Sequence, residues 1–250
     1  MSAKVQNPHN ILLSRDITDG SKVLVGETSK NKYQALQAFI SFNNGTETPG
    51  KLVWQTPIMK APFGVKEFRM ADNEDPKYTL DLQFNNTTEK LDGLHKRAHD
   101  AVVCVENRVV DIATDKSAEW FKKKKTRDVI LEEKFKSLLK TNPVDDNGVP
   151  KSDYPDRLAF KVFVDDKNVP VVEVYDHLKN RLPVNSIADL MALIKVGRRV
   201  KAIVQATNVW ISSTGCGISW KLVMLKLYPS EELPDYAFSS DDEEIEELND

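Results

Sequence analysis

Arg198 to Ser212 reads RRVKAIVQATNVWIS, and after the turn Ser213-Thr214-Gly215-Cys216-Gly217 the chain resumes as ISWKLVMLKLY from Ile218 to Tyr228. In the first stretch Arg199 and Lys201 share one face, while Val200, Ala202 and Val204 share the other. Alternation with period two marks a strand with one packed and one wetted side. Two long strands of this kind joined by small residues predict a closing hairpin, apolar inside and cationic outside, which suits the wall of a barrel.

Upstream, the pattern remains mostly β. Leu158–Val164 and Val169–Tyr175 flank Asp165-Asp166-Lys167-Asn168 and predict a hairpin, and Ser186 with Asp189 predicts a capped helix carrying Ile187, Leu190, Met191 and Ile194 on one face. Residues 143 to 156 form a Pro/Gly/Asp-rich loop. Before it lies a helical block. Asn86 and Glu89 predict the start of a long amphipathic helix through Leu91, Leu94, Ala98, Ala101, Val105, Val109 and Ile112. A turn at Ser117–Phe121, where Trp120 reads as a core plug, and a helix over Asp128–Leu139 follow, stopped by Asn142-Pro143. Earlier still, strands are predicted over Lys32–Phe42, Lys51–Thr56 and Lys77–Phe84, the first two pairing as a hairpin, with an edge strand at Ile11-Leu12-Leu13.

Three strands, a helical insertion and further strands predict a mainly β, α+β fold: an OB-type Greek-key barrel with helices between strands three and four. An α+β sandwich of similar order is the alternative. The expected organisation is an N-terminal extension over 1–32, an OB domain over 33–228 with its helical insertion at 86–140, and a tail over 229–250.

The net charge of −3 conceals a division. From Pro229 to Asp250 there are ten acids and no Lys or Arg, so the other 228 residues carry 35 basic and 28 acidic side chains, a net of +7. A basic body is the usual footprint of a polyanion binder, and the tail's composition predicts disorder. No apolar run approaches the roughly 20 residues of a membrane span. The polar N-terminus lacks the core of a secretion signal, and Cys104 and Cys216 fit a reduced compartment, so the chain is expected inside a cell and away from membranes.

Catalysis finds little support. His95 and His99 at i, i+4 could hold a metal from one helix face, but Lys96 stands where a zinc hydrolase has glutamate, and a solvated face is the plainer reading. Thr214-Gly215-Cys216-Gly217 precedes a strand, so it lacks the helix N-terminus of a phosphate loop. No catalytic constellation, metal or cofactor is expected.

Binding of single strands needs cations along a groove and flat rings on which bases stack. Lys51, Trp54, Lys60, Phe63, Lys66, Phe68 and Arg69 interleave these, as do Arg198, Arg199, Lys201, Trp210 and Lys221 with Trp220. Each of Trp54, Trp210 and Trp220 could pack in the core or stack on a base. The run Lys122-Lys123-Lys124-Lys125 with Arg127 could contact phosphate, signal nuclear import or be a solvated loop. Ser239 and Ser240, ahead of Asp241-Asp242-Glu243-Glu244, match acidophilic-kinase sites, whose modification would deepen the tail's charge.

Lys51-Leu52-Val53-Trp54-Gln55-Thr56-Pro57 followed by Ala61-Pro62-Phe63-Gly64 resembles the strand-and-loop motif of single-stranded DNA-binding proteins from nucleocytoplasmic large DNA viruses. These are similar to the tailed-phage replication protein with one OB barrel and an acidic C-terminal tail. The likeness runs from about Tyr33 to Asp250. It implies sequence-independent binding of single strands in viral replication, recombination and repair, with annealing activity and no catalysis. The acidic tail is further expected to compete for the DNA groove and, once displaced by DNA, to recruit a polymerase, helicase or primase. The segment Phe238, Asp241, Asp242, Glu243, Glu244, Ile245, Glu246, Glu247 and Leu248 would carry that recruitment. The phage tail ends on an aromatic residue, whereas this one ends Leu248-Asn249-Asp250, which puts a terminal-aromatic docking mode in doubt. A homodimer, and work in the host nucleus or at a cytoplasmic viral replication site, complete the expectation. The rivals are an interaction or virion protein whose tail only docks or solubilises, and a metal-dependent nuclease using His95, His99 and Asp100.

Overall fold

The structure, a computed structural model, describes residues 10–69, 75–87, 90–91, 93–141 and 154–229. Five strands close into a ring: β1 (Met59–Lys60), β2 (Lys77–Gln83), β3 (Arg157–Val162), β4 (Arg199–Ile211) and β5 (Cys216–Leu227). β1 is antiparallel to β2 and to β4, β2 is antiparallel to β3, β3 is parallel to β5, and β5 is antiparallel to β4. The ring order 1-2-3-5-4-1 with its single parallel pair is that of an OB-type Greek-key barrel. The helices follow the third long strand predicted from sequence; within the ring they lie between β2 and β3.

Alternation decides which side chains fill the barrel. Val200, Ala202, Val204 and Ala206 of β4 are fully buried, as are Leu80 and Leu82 of β2 and Leu158 and Phe160 of β3. Ala206 lies opposite Trp220, and a small residue facing a large one lets the layers interdigitate. Trp54, on the strand Leu52–Gln55, meets Trp220 edge-on at 6.2 Å between centroids, and its Nε1 donates to Ser14 Oγ at 3.0 Å.

β4 is long enough to take several partners in succession on the edge opposite β5. It pairs with β1 at Arg199–Val200, with Leu52–Gln55 at Ile203–Ala206 and, past a bulge, with the strand Leu36–Phe42 at Asn208–Ile211. The hairpin expected between 32–42 and 51–56 is therefore reduced to a Phe42–Gly50 bridge, because both segments spend their edges on β4. Val23–Lys30 supplies the other partner of Leu36–Phe42, and Leu12–Leu13 runs parallel to Trp54–Gln55. Residues assigned to an N-terminal extension thus join the sheet. The expected hairpin over 158–175 likewise shrinks to a Val164–Pro170 bridge. Pro170 has no N–H to extend the ladder, and Glu173–Tyr175 adds to β5 instead.

The long helix, α1, runs Gly93–Asp115 and buries a stripe from His95 to Ala113. It starts later than predicted, because Asn86–Thr87 and Lys90–Leu91 pair as a short ladder. The helix expected over 128–139 breaks after Arg127–Val129 and one wide turn, Ile130–Lys134, and becomes the strand Phe135–Lys136. A contact from α1 accounts for the break. Glu106 accepts from the Ser137 hydroxyl and the Leu138 N–H, each at 2.6 Å, and holds this segment extended. The segment then places Leu139–Lys140 beside β3. The predicted Ser186 cap is present, with Asp189 N–H donating to Ser186 Oγ at 3.1 Å at the start of the helix Ile187–Leu193. The loop over 143–156 is described only from Tyr154 onward.

Burial raises the Glu106 carboxyl above its ordinary value of 4.5, against hydrogen bonds from Ser137 and Leu138 that lower it. The folded state therefore holds this proton more tightly than the unfolded chain, so the contribution of Glu106 to stability is full at low pH and is lost as pH rises through the raised value. Glu106→Gln keeps the shape and cannot ionise. Urea unfolding at several pH values should show the difference between variant and parent moving in favour of the variant as pH rises from about 4 to 8. A difference that does not change with pH would exclude a Glu106 carboxyl raised by burial.

Candidate nucleic-acid interface

The outer face of the ring carries the cations. Residues paired across strands point to the same side of the sheet, so register alone lists what lies together. One row reads Arg199 on β4, Lys60 on β1, Gln83 on β2, Arg157 on β3 and Lys140 on the adjoining strand. A second reads Lys66 on the strand Val65–Phe68, Thr79 on β2, Lys161 on β3, Lys221 on β5 and Gln205 on β4. The rows are four residues apart along β2 and β3, about 13 Å at the usual rise of a strand.

Between the rows sits Asp81, whose side chain is 4% exposed. Lys66 Nζ and Arg157 Nε both reach Asp81 Oδ2 at 3.0 Å. The same two cations face Phe63, with Lys66 Nζ 4.5 Å from the ring centroid and the Arg157 guanidinium carbon at 5.9 Å. Phe63 is nevertheless 44% exposed. Asp81 thus pins two flexible cations beside a solvent-facing ring, which lowers the entropy lost when an anion and a flat group settle there. Gly64 holds the loop in place. Its φ is +63°, and a Cβ there would come within 2.6 Å of the Ile194 carbonyl, so the loop carrying Phe63 packs directly on the chain after the helix Ile187–Leu193.

Three pairs of like charge stand directly opposite each other along the rows, Arg199 with Lys60, Arg157 with Lys140 and Lys161 with Lys221. Such pairs destabilise a sheet. A row of phosphates laid over them removes that penalty, so the arrangement favours a polyanion over an isolated metal or small neutral ligand.

The residues chosen from sequence divide into three groups. Lys60, Phe63, Lys66, Arg199 and Lys221 lie on these rows or over them. Phe68 is exposed on the same flanking strand, next to Arg69, which is paired with Glu67 at 3.0 Å. Lys51 is exposed just before the strand Leu52–Gln55, and Lys201 lies on the outer face of β4 opposite Lys226. Arg198 is half-buried at the mouth of β4. Trp54 must be removed: at 1% exposure it is core, because it shares the inward parity of Leu52. Trp220 is likewise buried. Trp210 sits near the far end of β4, half-buried with its ring against Gly217, eleven residues from Arg199. At the rise of a strand that is about 35 Å along β4. Arg157 and Lys161 were missed, though the alternation Arg157, Ala159, Lys161 against Leu158, Phe160, Val162 marks them as outward. The tail residues Phe238 to Leu248 lie outside the described residues.

His95 is neither solvated nor a ligand. It is buried, its Nδ1 accepts from Asn85 N–H at 3.0 Å, and Nε2 carries the proton that it shares with the Ile58 carbonyl at 3.0 Å. It ties the segment before β1 to the segment after β2. His99 packs edge-on to Phe84 and stands 3.8 Å from Asp156. Among the described residues no three His, Cys, Asp or Glu side chains gather as a metal site.

No protein-family model and no curated protein matches the chain. Among solved structures it is similar to the single-stranded DNA-binding protein from bacteriophage Enc34 in complex with single-stranded DNA. That match has 15% identity and a TM-score of 0.45, and it covers 84% of this chain and 97% of that one. It is also similar to gp2.5, a single-stranded DNA-binding protein encoded by bacteriophage T7, at 16% identity and a TM-score of 0.43, over 75% of this chain and 98% of that one. At these identities and scores the likeness assigns no activity to this chain.

Proposed function

We propose that the chain binds single-stranded DNA without regard to sequence, laying it across the outer face of β2 and β3. The observation that carries this is Phe63, solvent-facing and flanked by Lys66 and Arg157, between two rows of outward cations. In this reading the cations release counterions from phosphates, and Phe63 stacks on a base. A ring offers every base the same π-face, which makes the contact tolerant of sequence. The exposed base faces of a single strand reach such a platform; those of a duplex are already stacked.

The setting that fits is replication, recombination and repair of a viral genome, with the acidic segment recruiting a polymerase, helicase or primase. The basic body, the anionic tail and the resemblance of the Lys51–Gly64 motif support that setting.

Fluorescence anisotropy with labelled oligothymidine and a matched duplex, at two salt concentrations, tests the reading. Affinity for the single strand should exceed that for the duplex and fall with a log–log salt slope of about 0.7 per phosphate neutralised. Equal affinity for both, or affinity indifferent to salt, would favour the interaction-protein alternative.

Phe63 and Trp54 should separate cleanly. Phe63→Ala removes a solvent-facing ring and should weaken oligothymidine binding by about 5- to 150-fold, the range for one stacked base, with little change in melting temperature. Trp54→Ala opens a core cavity and should cost about 3–5 kcal/mol of stability. Thermal unfolding and anisotropy on both variants read the two effects.

A further inference from the structure

A second cationic groove lies on the outer wall formed by β4 and β5, around the barrel from Phe63. It joins two depressions that meet at Gln55 and Lys201. Its cations are Arg15, Arg97, Lys179, Lys201 and Lys226, and among the described residues no carboxylate lines either depression. Its floor is apolar, formed by Leu13, Pro57, Leu94, Ile203 and Met224. Lys201 and Lys226 face each other directly across β4 and β5, a like-charge pair that an anion would relieve. Two carboxylates stand beside it: Asp100 lines the adjoining depression with Arg15 and Arg97, and Glu173 accepts from Tyr175 Oη at 2.9 Å and stands 3.5 Å from Arg181 Nη2.

The described chain leaves the barrel at this groove. Lys226 lines it and lies 5.6 Å from the ring of Tyr228, whose N–H is fixed to the Arg199 carbonyl at 2.9 Å. Pro229 is the last described residue, and 21 residues follow, enough to reach up to about 70 Å when extended. Those residues combine ten acids with the apolar side chains Phe238, Ile245 and Leu248. A segment both anionic and apolar matches cations over an apolar floor. The Phe63 face suits it less well, because Asp81 already neutralises part of the charge of Lys66 and Arg157 there.

We propose that residues 230–250 dock in cis in the groove between Arg97 and Lys226, beside the Phe63 face and not over it. This differs from a tail that occupies the DNA groove itself. Tethering raises the local concentration of the segment to the order of millimolar, so weak contacts suffice. From this berth its charge opposes DNA through space, over the roughly 10 Å that charges reach at 0.1 M salt.

The test uses the full-length chain without DNA, so its outcome does not depend on the single-strand reading. Zero-length carbodiimide coupling, read by mass spectrometry, should join carboxylates of 231–250 to Lys179, Lys201 and Lys226 in preference to the exposed Lys122, Lys123 and Lys124. Arg97→Glu combined with Lys179→Glu should lower the Lys201 and Lys226 products at least fivefold. Three results would overturn the proposal: links concentrated on Lys60, Lys66 and Lys161, equal yields over all exposed lysines, or products joining isotopically labelled to unlabelled copies.

Discussion

The molecule depends on the register of one long hairpin. β4 and β5 pair from Val200–Leu227 to Ile211–Cys216, and the alternation along β4 sends every second residue inward. A slip of one residue would put Arg199 and Lys201 in the core and Val200 and Ala202 in water, so the pairing is strongly specified. Two irregularities in the ladder, after Ile203 and after Ala206, let the strands bend around the barrel, and on β4 the inward parity passes from even residues up to Ala206 to odd residues from Val209. The far edge of β4 then serves β1, Leu52–Gln55 and Leu36–Phe42 in turn. Fixing this hairpin fixes where each of those segments must lie.

The same register builds the surface. Because paired residues point the same way, inward alternation on β2, β3 and β4 necessarily lines their polar residues into outward rows. Those rows hold Lys161 against Lys221, a like-charge contact that a polyanion would relieve. Among the described residues, Asp81 is the carboxylate placed between them, and it orients Lys66 and Arg157 around Phe63. On the outer wall of the hairpin itself, Lys201 and Lys226 repeat the like-charge pairing over an apolar floor. The outer face of the barrel thus carries two cationic surfaces of different character, one aromatic and one aliphatic.

The barrel was legible because alternation is a local signal: Arg198–Ser212, Lys77–Gln83 and the Ser186 cap all declare themselves within a few residues. What sequence could not supply was partnership. Leu36–Phe42 and Leu52–Gln55 look like a hairpin until β4, some 150 residues away, takes both. The helix expected over 128–139 has sound local spacing, and a buried glutamate from α1 overrides it. Trp54 was misassigned although parity was available, since Leu52 and Trp54 must face the same way as each other and opposite to Lys51. A tryptophan among cations looks alike whether it plugs a core or offers a platform. Arg157 was missed for the complementary reason: its strand has no neighbouring basic cluster, and only the fold brings it to Lys66, Asp81 and Phe63.

The central claim, that a single strand crosses the Phe63 face, is tested most directly by where a photoreactive strand attaches. Full-length protein would be irradiated with an oligothymidine carrying 4-thiothymidine, and the modified peptides identified by mass spectrometry. Adducts should fall on Phe63 and its neighbours in 60–68 and 157–161, although Tyr33, Phe39 and Tyr154 are all more exposed, at 75%, 60% and 73%. Adducts on those three rings with none on Phe63 would contradict the account.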